Sequence, residues 1–139
     1  MIHLLTDIIS KNGNLLLNIG PGPDGEWDPV AYERLAQIGK WMAVNGEAVY
    51  ETTADPQLPR DGNWVFTRKG KTIYAIYQLQ EKEVLPAQLT LNLSLPVSKV
   101  ELLGSSDKIV FSSADKHLRL RINAEAVSAD AEALVFKLE

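Results

Sequence analysis

Asn14-Leu15-Leu16-Leu17-Asn18-Ile19-Gly20-Pro21-Gly22-Pro23-Asp24-Gly25 is the stretch on which the reading of this chain turns. It reads as a short, almost wholly apolar strand that ends in a glycine- and proline-rich turn, with a helix starting at Asp28-Pro29. An apolar run without alternation suits a parallel sheet covered on both faces, where no side calls for polar residues. A parallel strand needs parallel neighbours, each reached by a crossover of about a dozen residues or more. The sequence offers one such strand–turn–helix unit. The expectation is that this chain is the tail of a larger fold.

The chain has 139 residues, a length that normally makes one domain with a core of its own. Its formal net charge of −4 argues against nucleic acid as a partner, because that polyanion needs a concentrated basic surface. Cysteine is absent, so disulfide and thiol chemistry are excluded and the redox compartment stays open. No apolar stretch approaches the length that spans a membrane, and the first residues do not resemble a signal peptide.

The hydrophobic period divides the chain in two. Ile2, Leu5, Ile8 and Ile9 suit one face of a helix, which Asn12-Gly13 stops in the left-handed conformation those residues tolerate. A second helix has Asp28 as N-cap and Pro29 as first residue, a buried stripe of Ala31, Leu35, Ile38 and Met42, and Asn45-Gly46 as its end. Gly39 on that stripe predicts close approach to the strand below. Beyond Val49 the period falls to two. Residues 52–63, rich in Pro, Asp and Gly, read as a connector. Strands are expected at 64–68 and 72–79, joined by Lys69-Gly70-Lys71 as a hairpin, and at 89–95, 97–103, 108–112, 117–123 and 134–138. Short strands separated by Gly, Pro, Ser and Asp turns predict an antiparallel β-sandwich. The fold class is therefore mainly β: a sandwich preceded by a helix–strand–helix segment.

Several residues then match a known pattern. Asn12-Gly13-Asn14-Leu15-Leu16-Leu17-Asn18-Ile19-Gly20-Pro21, Asp24-Gly25, Ile38-Gly39-Lys40-Trp41 and Val44-Asn45-Gly46-Glu47-Ala48-Val49-Tyr50 resemble the end of the catalytic barrel of α-L-fucosidases of glycoside hydrolase family 29. Phe66-Thr67-Arg68-Lys69-Gly70, Ile73-Tyr74-Ala75-Ile76 and Val135-Phe136-Lys137-Leu138 are similar to that family's C-terminal β-sandwich. The resemblance implies that residues 1–50 are the terminal helix–strand–helix of a (β/α)8-like barrel, with 14–19 as its eighth strand, and that 51–139 form the sandwich. A barrel's last strand has no partners without the other strands, which agrees with the reading from the residues.

The resemblance also implies chemistry. Family members release terminal α-L-fucose from glycans with retention, using an aspartate nucleophile and an acid/base carboxylate about 5 Å apart. Both belong to earlier parts of the barrel, so no catalytic residue is expected here and the chain alone should be inactive. No cofactor and no metal are expected. The expected partners are the N-terminal part of the barrel and, in the whole enzyme, a fucosylated glycan. The parent is expected to be exported, to a periplasmic, extracellular or lysosomal compartment.

Barrel loops after the strands form the active-site face, which would put residues 20–27 at the rim. Asn18 near the strand's end suits a hydrogen bond behind the pocket, Asp24 is turn chemistry that would also reach ligand, and the Trp27 indole suits stacking on a sugar face; packing is the simpler role for each. A phosphate-loop reading fails, since no Lys-Ser or Lys-Thr follows the glycines and Asp24, Glu26 and Asp28 would repel phosphate. His3 reads as helix surface and His117 as a strand end, with no ligand spacing around either. Ser105-Ser106 and Ser112-Ser113 read as turns. Arg119 and Arg121 read as a solvated strand face. Asn92-Leu93-Ser94 matches a glycosylation acceptor inside a strand.

Two functions remain. One is a non-catalytic piece that completes and braces a fucosidase barrel. The other is a stand-alone carbohydrate-binding or protein-interaction sandwich, for which Trp64, Tyr74 and Tyr77 would be the exposed platform. An orphan apolar strand also risks association, so the run containing Leu15, Leu17 and Ile19 is expected to pair with an edge of the sandwich or with a second copy.

Overall fold

The architecture is that of a computed structural model, which describes residues 1–123, 127 and 131–139. Helix α1 spans Ile2–Ile9 and α2 spans Pro29–Asn45, followed by a 3-10 turn over Gly46–Ala48. Among the described residues seven strands follow: β1 Trp64–Lys69, β2 Thr72–Gln78, β3 Gln88–Asn92, β4 Val100–Leu102, β5 Val110–Ala114, β6 His117–Arg121 and β7 Ala133–Leu138. They form a four-stranded sheet in the order β1-β2-β7-β4 and a three-stranded sheet in the order β3-β6-β5, with antiparallel pairing throughout. The mainly β, antiparallel sandwich read from the sequence is the fold.

Local chemistry explains the turns. Gly70 takes a positive φ of 60° between Lys69 and Thr72, which face each other across the β1–β2 hairpin. Asp115 and Lys116 both adopt positive φ in the two-residue turn between Ala114 and His117, the geometry that matches strand twist. Asn12 at φ 58° ends α1, and its Oδ1 accepts the Ala54 amide at 2.5 Å, tying the helix to the connector.

The core lies between the sheets. Trp64, Phe66, Ala75, Tyr77, Leu102, Phe136 and Leu138 from one sheet meet Leu89, Leu91, Leu118 and Leu120 from the other. The outer face of the four-stranded sheet is buried as well, because Val65, Tyr74, Ile76 and Val135 pack beneath Ile2, Ala48, Ile38 and Trp41. Polar bonds at the strand ends fix the helices there. The Trp41 indole donates to Ala133 O at 3.1 Å and His3 Nε2 donates to Glu132 O at 2.7 Å. His3 is thus half-buried and engaged, which corrects its reading as helix surface.

The largest departure lies at residues 14–19. They form no strand, and they do not pair with the sandwich as one of the two expectations required. The edge next to β1 is already taken by the connector, since Thr53 and Arg68 exchange both backbone hydrogen bonds and so do Asp61 and Trp64. With no neighbour to complete a ladder, the segment takes no regular secondary structure, and Leu16 is 82% exposed. The stripe on α2 is likewise only half-covered: Ala31, Leu35, Ile38 and Met42 are all intermediate in burial. Gly39 has nothing within 4 Å of where a Cβ would sit, so the close approach predicted there is absent.

One buried polar side chain joins α1, the connector and the sheet. Gln78, 2% exposed, donates to His3 O at 2.9 Å and Thr6 Oγ1 at 2.8 Å and accepts from Arg60 Nη2 at 2.7 Å. Arg60 Nη1 in turn donates to Asp7 Oδ1 at 2.8 Å. Gln78→Ala strands these groups and should cost about 1–3 kcal/mol in urea unfolding. A variant within about 0.5 kcal/mol of the parent would contradict the clamp.

Candidate functional site

The segment between the open run and α2 folds as a compact loop. The Gly22 amide donates to Glu26 O at 2.7 Å, the Gly25 amide to Gly22 O at 3.0 Å, and the Glu26 amide to Asp24 Oδ1 at 3.1 Å. Gly25 at φ 86° supplies the conformation that closes it. The loop then runs into α2, where Asp28 Oδ1 accepts the Val30 amide at 2.8 Å and Pro29 occupies the first turn, as the capping pattern predicts.

This fold brings two of the expected site residues into one loop. Asp24 is exposed and spends one carboxylate oxygen on its own turn. Trp27, 39% exposed, stands 5.4 Å from Tyr32 between ring centroids at an interplanar angle of 40°. The Tyr32 hydroxyl donates to Glu26 Oε2 at 3.0 Å. Asn18 lies exposed on the irregular segment and makes no side-chain hydrogen bond among the described residues. Sequence reasoning missed Tyr32. Its signal was available: an aromatic in the first turn of a helix, just beyond a capped N-terminus, faces the loop that feeds it.

Three exposed carboxylates of this region are committed to structure. Asp28 caps α2, Glu26 holds Tyr32, and Glu47 Oε2 accepts from the Tyr74 hydroxyl at 3.0 Å and from Lys137 Nζ at 3.1 Å. Burial, reinforced by the hydrogen bond to Glu47, pushes the Tyr74 phenol up to about 12. Asp7 is held below the usual carboxylate range by Lys11, against a partial burial effect, with help from Arg60. Asp55 is lowered too: burial opposes, but the Gln57 amide and the Arg68 guanidinium outweigh it.

The aromatics that would have made a sugar platform on the sandwich are interior. Trp64 and Tyr77 pack against each other within the core, with ring centroids 4.8 Å apart and planes tilted by 58°, and Tyr74 is covered by the helical layer. Among the described residues, no three His, Asp or Glu side chains gather closely enough to hold a metal ion. No described helix is long and apolar enough to cross a membrane. A cleft of about 850 Å³ lies between α2 and the four-stranded sheet, bordered by Arg34, Lys40, Trp41, Leu103 and Gly104.

Comparison with known proteins gives a consistent result. The family model described as Alpha-L-fucosidase matches residues 1–47. The α-L-fucosidase of Branchiostoma floridae is 38% identical over 109 residues, which cover 75% of this chain and 23% of that protein. The tissue α-L-fucosidase of Homo sapiens is 35% identical over 119 residues, covering 81% of this chain and 24% of that one. The crystal structure of the Thermotoga maritima α-fucosidase superposes with a TM-score of 0.82 at 26% identity, over 99% of this chain and 33% of that one. The chain thus spans about a quarter of the length of these curated relatives.

The Tyr74 contact predicts a pH effect. A phenol whose folded value lies at about 12 against an ordinary 10.0 stabilises the fold fully below pH 10, and that contribution is lost as pH rises toward 12. Urea midpoints across this range should fall more steeply for the parent than for Tyr74→Phe. Equal slopes would contradict the assignment.

Proposed function

The chain belongs to the α-L-fucosidase family, to whose C-terminal part it corresponds, and from that premise we propose that it is the non-catalytic portion of a retaining enzyme that removes terminal α-L-fucose from glycans. Residues 1–50 are the last helix–strand–helix of the catalytic barrel, and 51–139 are the sandwich that braces it. The catalytic carboxylates belong to the N-terminal part of the barrel, which is the chain's partner. The loop carrying Asp24 and Trp27, with Asn18 leading into it, borders the fucose pocket, and Trp27 with Tyr32 offers an aromatic surface to the glycan.

The observation that carries this reading is the open apolar flank. Leu16, Leu17, Trp27, Val30 and Val44 are all exposed on or beside a helix whose apolar stripe is half-covered, while the core between the two sheets is buried. Residues 14–19 become a strand once neighbouring strands supply the ladder. Where the barrel is absent, Leu15, Leu17 and Ile19 pair with those of a second copy. The aromatic platform on which the stand-alone module reading rested is lost, because Trp64, Tyr74 and Tyr77 are buried.

The test is turnover of a chromogenic aryl α-L-fucoside by the purified chain at high concentration. No turnover is expected. In a full-length parent, Trp27→Ala should raise KM for a fucosylated oligosaccharide and leave kcat on the aryl fucoside unchanged. Turnover by the chain alone that scales with protein and survives repurification would overturn the assignment.

A further inference from the structure

The helices cover the outer face of the four-stranded sheet, so the outer face of the three-stranded sheet looks away from them. Strand β6 runs up its middle, with Leu118 and Leu120 pointing inward and fully buried and His117, Arg119 and Arg121 pointing outward. The register places Arg119 between Thr90 and Ser112, Arg121 between Gln88 and Val110, and His117 between Asn92 and Ala114. The outward positions of these strands thus carry two guanidiniums, a ring of amides and hydroxyls, and no carboxylate.

Acidic residues outnumber basic ones, 18 to 14, and Arg60 and Arg68 each hold a carboxylate at 2.8 and 2.6 Å. Arg119 and Arg121 form no ion pair among the described residues. Two residues apart on one strand, they stand about 7 Å apart along its axis. Unpaired guanidiniums on a flat face match sulfate or carboxylate groups repeated along an extended ligand. A protein partner would call for a large apolar or aromatic anchor at the centre of the patch, and among the described residues Val110 and Ala114 are the only apolar side chains at the outward positions of these strands. Gln88, Thr90, Asn92 and Ser112 instead suit a ligand rich in hydroxyls.

We propose that the outer face of the β3-β6-β5 sheet binds an acidic glycan, with its anionic groups on Arg119 and Arg121. This site is separate from the loop at residues 20–27 and stands whether or not the fucosidase reading holds.

The experiment is calorimetric titration of the 139-residue chain with heparin, with polyguluronate, with neutral dextran and with poly-L-glutamate. Binding of heparin or polyguluronate that weakens with added salt, with dextran silent, is the expected result; which of the two binds identifies sulfate or carboxylate as the anion. The Arg119→Gln/Arg121→Gln double variant should bind about tenfold more weakly or worse, with an unchanged circular dichroism spectrum. Arg119→Lys/Arg121→Lys should recover part of the affinity, and Lys40→Gln on the helical side should leave it intact. Glycan binding that the double glutamine variant leaves unaltered, no glycan binding at all, or equal binding of poly-L-glutamate would overturn the proposal.

Discussion

The burial of the four-stranded sheet on both faces is the constraint from which the rest of this structure follows. Phe136 and Ala75 face the other sheet, while their neighbours Val135 and Ile76 face the helices, and all four are sealed from solvent. Strands β2 and β7 therefore have no solvent side. That leaves the helical segment little freedom: α1, the 3-10 turn and the last turns of α2 must lie where they cover Val65, Tyr74 and Val135. Removing Phe136 to alanine would cost about 3–5 kcal/mol through lost burial and the cavity left behind. The hydrogen bonds from Trp41, His3 and Gln78 then choose one position on an apolar surface that would otherwise tolerate sliding.

The two ends of the helical segment are held very differently. Helix α1 is clamped through Thr6 and Asp7 to Gln78 and Arg60, and its last turn is tied through Asn12 to the connector. Past Gly13 the chain leaves the sandwich. Residues 14–28 and the first turns of α2 keep their own loop bonds and caps, but expose leucine, tryptophan and valine side chains. A surface of this kind is what a docking partner leaves behind. The same asymmetry leaves the far face of the sandwich, with its arginines, free for a different class of ligand.

Most of the sandwich was legible because alternation is a local signal. Leu89-Thr90-Leu91-Asn92 announces which side chains point inward, and β3 buries the ones the pattern names. Capping at Asp28-Pro29 and the left-handed stop at Asn12 were equally plain, since each depends on a few adjacent residues. The run at residues 15–19 misled for a physical reason. An apolar sequence reports what a segment is adapted to touch, whereas a strand needs the partner itself, and in this chain none is available. His3, Tyr74 and Trp64 were misjudged for the converse reason, because their partners lie more than twenty residues away and leave no trace nearby. The loop of Asp24 and Trp27 was visible in the sequence, but its pairing with Tyr32 requires the bend that the loop makes.

The central claim is that the sandwich is self-sufficient while residues 14–28 and the start of α2 form an unfilled docking face. Amide hydrogen exchange on the dilute chain tests it most directly. The account predicts that amides of β2 and β7 exchange only through global unfolding, while those of residues 15–19 exchange at rates close to an unstructured peptide. Protection at residues 15–19 equal to that of β7 would contradict it, because the segment would then be held by the chain's own fold.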